Sequence, residues 1–155
     1  MERNLASKYE RSSYALKEST NLKSEDNRGP AYEFAEDADF VYSDGKIVNI
    51  GIYDLNKLKK AGEPFFLAFG FMKPHLPFNT PTKYWNMYDE NTIDLSESYL
   101  QPKSISSIAF HNSGELRVYY GIPKKGDLSK EIAIKIIHGC YACVSYLDAQ
   151  IGCVR

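Results

Sequence analysis

The chain has 155 residues, of which 43% are hydrophobic and 25% charged, and its formal net charge is −1. This composition is ordinary for a globular protein, and the length allows one domain with a hydrophobic core. Because the net charge is close to zero, we expect neither a nucleic-acid partner nor a membrane partner. The polar N-terminus lacks the apolar segment of a signal peptide. No apolar run approaches the roughly 20 residues that cross a bilayer.

The first helix is predicted over residues 46–61, where apolar side chains recur at helical spacing. Ser43 or Asp44 is the expected N-cap, and Gly62 the expected end of the helix. Gly51 in the helix interior costs about 1 kcal/mol relative to alanine. We therefore expect a close contact between this helix and a sheet at Gly51.

The next segment, Phe65–Phe71, is almost wholly apolar and predicts a buried central strand. A helix followed by a buried strand is half of a crossover unit, so the predicted fold class is α/β. Lys73 and His75 follow the strand, at the edge where open α/β sheets bind ligands. A fixed positive charge beside a titratable imidazole suits an anionic substrate. Pro74 and Pro77 predict an extended, stiff path on both sides of His75.

Further along the chain, Thr80 and Pro81 predict the N-cap and first residue of a short helix. Residues 89–127 are irregular, and a connection of this length is usually functional. The longest helix is predicted over 129–155 with Ser129 as its N-cap. Its apolar stripe is expected to consist of Ile132, Ile136, Cys140, Val144, Leu147 and Ile151.

The three cysteines, Cys140, Cys143 and Cys153, lie near the end of the chain. We interpret Cys140 and Cys143 as small buried apolar side chains on the helix. No redox-type turn precedes them, and no second Cys/His pair has the spacing of a zinc site. The sequence therefore predicts no metal site.

Three stretches resemble sulfatases of the iduronate-2-sulfatase type, in the alkaline-phosphatase-like superfamily. They read GPAYEFAEDADFVYSDGKIV, GEPFFLAFGFMKPHLPFNTPTKYWNMYD and HNSGELRVYYGIPKKGDLSKEIAIKIIHGCYACVSYLDAQIG. The resemblance covers roughly residues 28–155 and implies the central part of a sulfatase catalytic domain. Its fold would be an incomplete part of a mixed sheet flanked by helices. Residues 1–27 are polar, and we expect them to be poorly ordered.

The resemblance implies hydrolysis of a sulfate ester, with a sulfated carbohydrate or uronic acid as substrate. By position, His75 would contact the sulfate or the leaving oxygen as a general acid, with Lys73 beside it. His111, Asn112 and Arg117 are candidates for the substrate subsite, and a guanidinium matches the carboxylate of a uronic acid. From the residues alone, a loop histidine, a solvated lysine and ordinary surface polarity explain the same side chains.

The family uses calcium and a formylglycine made within Cys-x-Pro-Ser-Arg, and part of its calcium site is an Asp-His-Gly region. Neither motif occurs in this sequence. We therefore expect both cofactors to belong to the full-length family and not to this chain, which alone would be inactive. Its partner would be the remainder of a parent sulfatase, from a family that is usually exported. Two alternatives stay open: a related phosphoester hydrolase of the same superfamily, and a non-catalytic remnant or truncated scaffold.

Overall fold

The computed structural model describes residues 14–100, 104, 106, 108 and 111–154. It combines helices with a small parallel sheet, in agreement with the predicted α/β class. The helices and strands are α1 (Lys17–Asn21), β1 (Tyr32–Ala35), α2 (Ser43–Ala61), β2 (Phe78–Pro81), α3 (Thr82–Trp85) and α4 (Lys130–Gly152). Single 3₁₀ turns lie at Asp39–Val41, Glu90–Thr92 and Leu116–Val118.

The sheet consists of β1 and β2, which run parallel with Tyr32 opposite Phe78. All four residues of β2 are buried, because β1 lies beside them and α4 packs across them. The prediction that Thr80 caps a helix is wrong. Thr80 pairs within the sheet, and the helix after it is capped by Pro81.

The predicted central strand at Phe65–Phe71 is also wrong. The segment pairs with no other part of the chain that the structure describes, and Phe66 is 91% exposed. A strand needs a neighbour to complete its ladder of hydrogen bonds, and apolar composition alone does not supply one. Phe69 instead packs its ring on α2, where a Cβ at Gly51 would lie 1.8 Å from its Cε1 atom. The close contact expected at Gly51 is therefore real, but it is made with this ring and not with a sheet.

Helix α2 is confirmed and begins three residues before the predicted start. It ends as predicted, with Gly62 in the left-handed region at φ 71°. The predicted N-cap is wrong, because Tyr42 occupies that position without a side-chain cap bond. The side chain of Asp44 is bonded to a different segment of the chain.

Helix α4 is confirmed, and the Ser129 side chain accepts a hydrogen bond from the Ile132 N–H at 3.2 Å. The predicted apolar stripe is confirmed in part: Ile132 and Ile136 pack against a buried cluster, whereas Val144 and Ile151 are exposed. The face that packs inward consists of His138, Gly139, Ala142, Cys143, Tyr146 and Gln150. Small residues are needed there because the helix approaches β2 closely. A Cβ at Gly139 would lie 2.9 Å from the Cβ of Phe78.

By length and composition α4 could also cross a membrane, contrary to the expectation from the sequence. A core helix passes the same test, and one face of α4 packs against β2 and α3. The length of α4 is therefore weak evidence for a membrane partner.

The polar N-terminal segment includes structure that the sequence did not predict. Residues 14–27 contain α1, and the buried carboxylate of Glu33 accepts hydrogen bonds from the backbone N–H groups of Ala15 and Leu16. Residues 1–13 lie outside the described part, and the domain boundary near residue 28 stays a prediction.

A polar network around Asp39 joins α3 and α4 to the 3₁₀ turn at Asp39–Val41. Its Oδ2 accepts hydrogen bonds from the Tyr84 hydroxyl at 2.7 Å and from Gln150 Nε2 at 3.0 Å, and Lys83 Nζ lies 2.6 Å from Oδ1. Burial acts to raise the pKa of Asp39, but the hydrogen bonds from these three side chains outweigh it and the pKa lies below its ordinary value. The Tyr146 hydroxyl donates to the Asp39 carbonyl at 2.9 Å. The network therefore fixes the turn that precedes α2.

Candidate functional site

The Lys73–His75 segment forms a turn on the surface, and the predicted extended path is wrong. The His75 N–H donates a hydrogen bond to the Met72 carbonyl at 3.0 Å, and the peptide bonds before Pro74 and Pro77 are both cis. The turn enters β2 from its amino end. The expectation that these residues follow the carboxyl end of a strand is therefore wrong for the described part of the chain.

The imidazole of His75 lies at the protein surface with 64% of its side chain exposed. Its Nδ1 lies 2.8 Å from the Leu76 carbonyl oxygen, an acceptor, so Nδ1–H donates in this arrangement. Its Nε2 lies 3.3 Å from Oε1 of Glu115. Glu115 was not predicted as a site residue, because no sequence pattern links position 115 to position 75. The ring is thus oriented by its own backbone and faces an acidic neighbour.

A hollow of about 20 Å³ lies beside the ring. Its lining residues are Tyr42, Ser43, Met72, Lys73, His75, Leu76 and Pro77. This volume holds about one water molecule.

The ammonium of Lys73 is directed inward and donates a hydrogen bond to the Pro77 carbonyl. Burial lowers the pKa of Lys73, and the nearby carboxylates of Asp44 and Glu33 oppose that shift. The lysine is therefore not a freely solvated side chain at a strand end. Its ammonium has three donors, so one bond to a carbonyl leaves others for an anion.

The carboxylate of Asp44 binds the backbone that leads into this turn. Its Oδ1 accepts a hydrogen bond from the Met72 N–H and its Oδ2 from the Lys73 N–H, both at 2.9 Å. Asp44 is only 1% exposed. The sequence indicated it as a possible helix cap, but not as a partner of residues about 28 positions further along.

The candidate subsite residues lie in an exposed loop that Arg117 holds together. Its guanidinium donates hydrogen bonds to the carbonyl oxygens of Asn112 at 2.8 Å, Pro123 at 2.7 Å and Gly126 at 2.7 Å. His111 lies nearby and its Nδ1 accepts from the Ser113 N–H at 3.0 Å. Three of the five guanidinium N–H groups are thus used within the loop. Binding of a substrate carboxylate by Arg117 stays a prediction.

One contact between this loop and the histidine turn is made by a pair of side chains. Glu115 lies between Asn112 and Arg117 in the sequence and contacts His75 across 3.3 Å. The structure therefore places Glu115 of this loop next to His75, and a shared site for His111, Asn112 and Arg117 stays a prediction.

Comparisons with known proteins agree with the sequence resemblance. No family model matches the chain. The chain is 32% identical over 105 residues to iduronate 2-sulfatase of Mus musculus, which covers 63% of this chain and 19% of that protein. It is 30% identical over 124 residues to a sulfatase of Formosa agariphila, which covers 75% of this chain and 22% of that protein. The chain is similar to a segment of sulfatases. The predicted resemblance is confirmed.

The matches define the extent of this sulfatase-like segment. The human iduronate 2-sulfatase is 31% identical over 105 residues. In each of these comparisons the chain spans about a fifth of the length of the curated relative that it matches. Sulfatase activity, substrate and partners of a whole protein are therefore matters for a proposal.

The described side chains of this sulfatase-like segment do not fit the calcium and formylglycine that the resemblance implies for the family. Within the residues that the structure describes, no group of three or more His, Cys, Asp or Glu side chains could hold a metal ion. The cysteines lack the Cys-x-Pro-Ser-Arg context. Cys143 is fully buried, and burial raises the pKa of its thiol to about 12. Cys140 and Cys143 form no disulfide and are consistent with packing roles.

Proposed function

We propose that this chain is the central part of an alkaline-phosphatase-like sulfatase domain that hydrolyses sulfate esters of a carbohydrate. Its specific contribution would be the Lys73–His75 turn. The observation that carries the proposal is an exposed, oriented imidazole at a surface hollow in a segment 30–32% identical to sulfatases.

The chemistry of the ester supports a role for both side chains. The sulfate carries negative charge, and the departing alkoxide needs a proton or a positive field as it forms. An imidazole N–H within reach of the leaving oxygen supplies that proton. The ammonium of Lys73 adds a positive charge close to the same hollow. The nucleophile and the metal of the family would come from the remainder of a parent chain, since these residues do not supply them.

The proposal extends to the class of substrate, a sulfated carbohydrate. It rests on the name of the iduronate 2-sulfatase relatives and on the polar loop at His111, Asn112 and Arg117. Two N–H groups of Arg117 have no described acceptor in the loop and would be available to a uronic acid carboxylate.

A chimera tests the proposal. The matched segment of the Formosa agariphila sulfatase is replaced by this chain, and hydrolysis of a sulfate monoester is compared with that of the matching phosphate monoester. We expect sulfate hydrolysis, and His75→Ala should lower kcat roughly 10²- to 10⁴-fold, with partial rescue by added imidazole. Lys73→Ala should also lower kcat, and Lys57→Ala, at an exposed position of α2, is its matched control.

Other outcomes favour the alternatives. Hydrolysis of the phosphate ester alone would support a phosphoester hydrolase. A folded chimera inactive on both esters would support a non-catalytic remnant, and full activity of the His75→Ala variant would refute the assigned role. The isolated 155-residue chain should show no saturable sulfatase activity, and such activity would refute the proposal that it is a fragment.

A further inference from the structure

A buried carboxylate binds the backbone that leads into the Lys73–His75 turn. Asp44 accepts hydrogen bonds from two consecutive backbone N–H groups, one on each oxygen, both at 2.9 Å. Hydrogen bonds to an ionised carboxylate are about twice as strong as those between neutral groups. Met72 itself is 44% exposed, whereas Asp44 is 1% exposed.

Asp44 itself is held rigidly in the first turn of α2. Its neighbour Gly45 donates its N–H to the Tyr146 hydroxyl of α4 at 2.7 Å. A Cβ at Gly45 would lie 2.1 Å from the Asp39 carbonyl oxygen, so helix and turn are in close contact here. The backbone next to Asp44 is therefore in close contact with α4 and with the 3₁₀ turn at Asp39–Val41.

The connection continues to the imidazole. The carbonyl of Met72, whose N–H is bound by Asp44, accepts the N–H of His75 at 3.0 Å. Only two hydrogen bonds thus separate the Asp44 carboxylate from the backbone of His75. We infer that Asp44 is a positioning residue, whose charged carboxylate fixes the Lys73–His75 turn in the orientation that the sulfate ester requires.

This inference rests on the proposed function for its catalytic meaning, but its structural part is tested without turnover. Hydrogen–deuterium exchange of the full chain, resolved to single residues by mass spectrometry, measures protection of the Met72 and Lys73 amides. We expect both to be protected in the unchanged chain, although they lie in a surface turn. Exchange at the rate of an unstructured peptide would overturn the inference without any variant.

Asp44→Asn removes the charge with little change in size. One side of an amide side chain cannot accept a hydrogen bond, so one of the two backbone donors loses its partner. We expect the Met72 and Lys73 amides to exchange roughly 10- to 100-fold faster, while α4 amides stay unchanged. Asp54→Asn, on the same helix, is the matched control and should leave both amides unchanged. Unchanged protection in a folded Asp44→Asn variant would refute the inference.

A second measurement separates a charged positioning group from a merely space-filling one. Lys73 faces Asp44 of α2, Glu33 of β1 and Cys143 of α4. Removing the Asp44 charge should lower the pKa of Lys73 further, measured as an earlier onset of amine labelling on a pH scale. Asp54→Asn should not move it. A pH profile for Lys73 that is identical in both variants would contradict a role for the charge.

The same variants in the chimera connect the inference to catalysis. Asp44→Asn should lower kcat more than it raises KM. Asp44→Glu keeps the charge but should still have a lower kcat than the unchanged chimera, because its longer side chain displaces the turn. If the chimera lacks activity altogether, the proposed function fails while the exchange results still decide the anchoring role of Asp44.

Discussion

Gly45→Ala is expected to destabilise the protein, although alanine is the better helix former. The added Cβ would lie 2.1 Å from the carbonyl oxygen of Asp39, 2.5 Å from its carbonyl carbon and 2.8 Å from the Phe40 nitrogen. All three are backbone atoms of the preceding 3₁₀ turn, so no side chain can rotate to make room. Overpacking of this kind costs typically about 1–3 kcal/mol.

Two further contributions decide the net effect. Alanine gains at most about 1 kcal/mol over glycine in a helix. A shift of the turn also weakens the bond from the Gly45 N–H to the Tyr146 hydroxyl, worth about 1 kcal/mol. The gain and this loss approximately cancel, which leaves a net destabilisation of about 1–3 kcal/mol from the steric clash.

Gly51→Ala is the matched control, on the same helix with the same chemical change. Its Cβ would meet the end of the half-buried Phe69 ring at 1.8 Å, and a ring can move where a backbone cannot. We expect a change within about 1 kcal/mol. Urea unfolding followed by far-ultraviolet circular dichroism gives the free energies, with similar m-values required for the comparison. A Gly45→Ala variant as stable as the original chain would refute the reasoning.

Three other variants or reagents test the polar network and the cysteines. Tyr146→Phe removes the hydroxyl that accepts from Gly45 and donates to Asp39, and should cost about 1–3 kcal/mol in urea unfolding, because a buried N–H and a partly buried carbonyl lose their partner. A loss below the error of the measurement would contradict this. The pKa of Asp39 is lowered in the folded state, so its contribution to stability is present above the unfolded value of about 4 and is lost as the pH falls through the folded pKa. Asp39→Asn should therefore weaken the acid dependence of the unfolding midpoint, and an unchanged acid dependence would argue against the network. At pH 8 iodoacetamide should alkylate the exposed Cys153 readily and the buried Cys143 only after denaturation, as read by peptide mass spectrometry. Equal rates at both thiols would show that α4 does not pack as described.

Local signals in the sequence were sufficient for the two long helices. Gly62 ends α2 and Ser129 caps α4, because the left-handed glycine and the hydroxyl acceptor act within a few residues of their own position. The same local reasoning failed at Asp44 and Thr80. Both are residue types that commonly cap helices. In the structure the Asp44 side chain binds a backbone N–H distant in the sequence, and Thr80 pairs with β1 in the sheet.

The apolar pattern was the least reliable guide to burial. Phe65–Phe71 has the apolar composition of a central strand, and yet it pairs with no strand in the described part of the chain. In α4 the large apolar side chains form a stripe in the sequence pattern. The face that packs on β2 instead contains Gly139 and other small residues, because the helix and the strand lie close together. Hydrophobicity determines which residues avoid water, whereas the distance between elements determines which of them fit.

The sequence by itself therefore determined the class of fold, the two long helices and the resemblance to sulfatases, all of which rest on patterns of neighbouring residues. Only the tertiary structure decided the surroundings of His75: the turn that carries it, the carboxylate of Glu115 facing it and the buried Asp44 behind it. Those contacts join positions about 28 to 40 residues apart, and their geometry depends on how helices and strands pack, which no local pattern encodes.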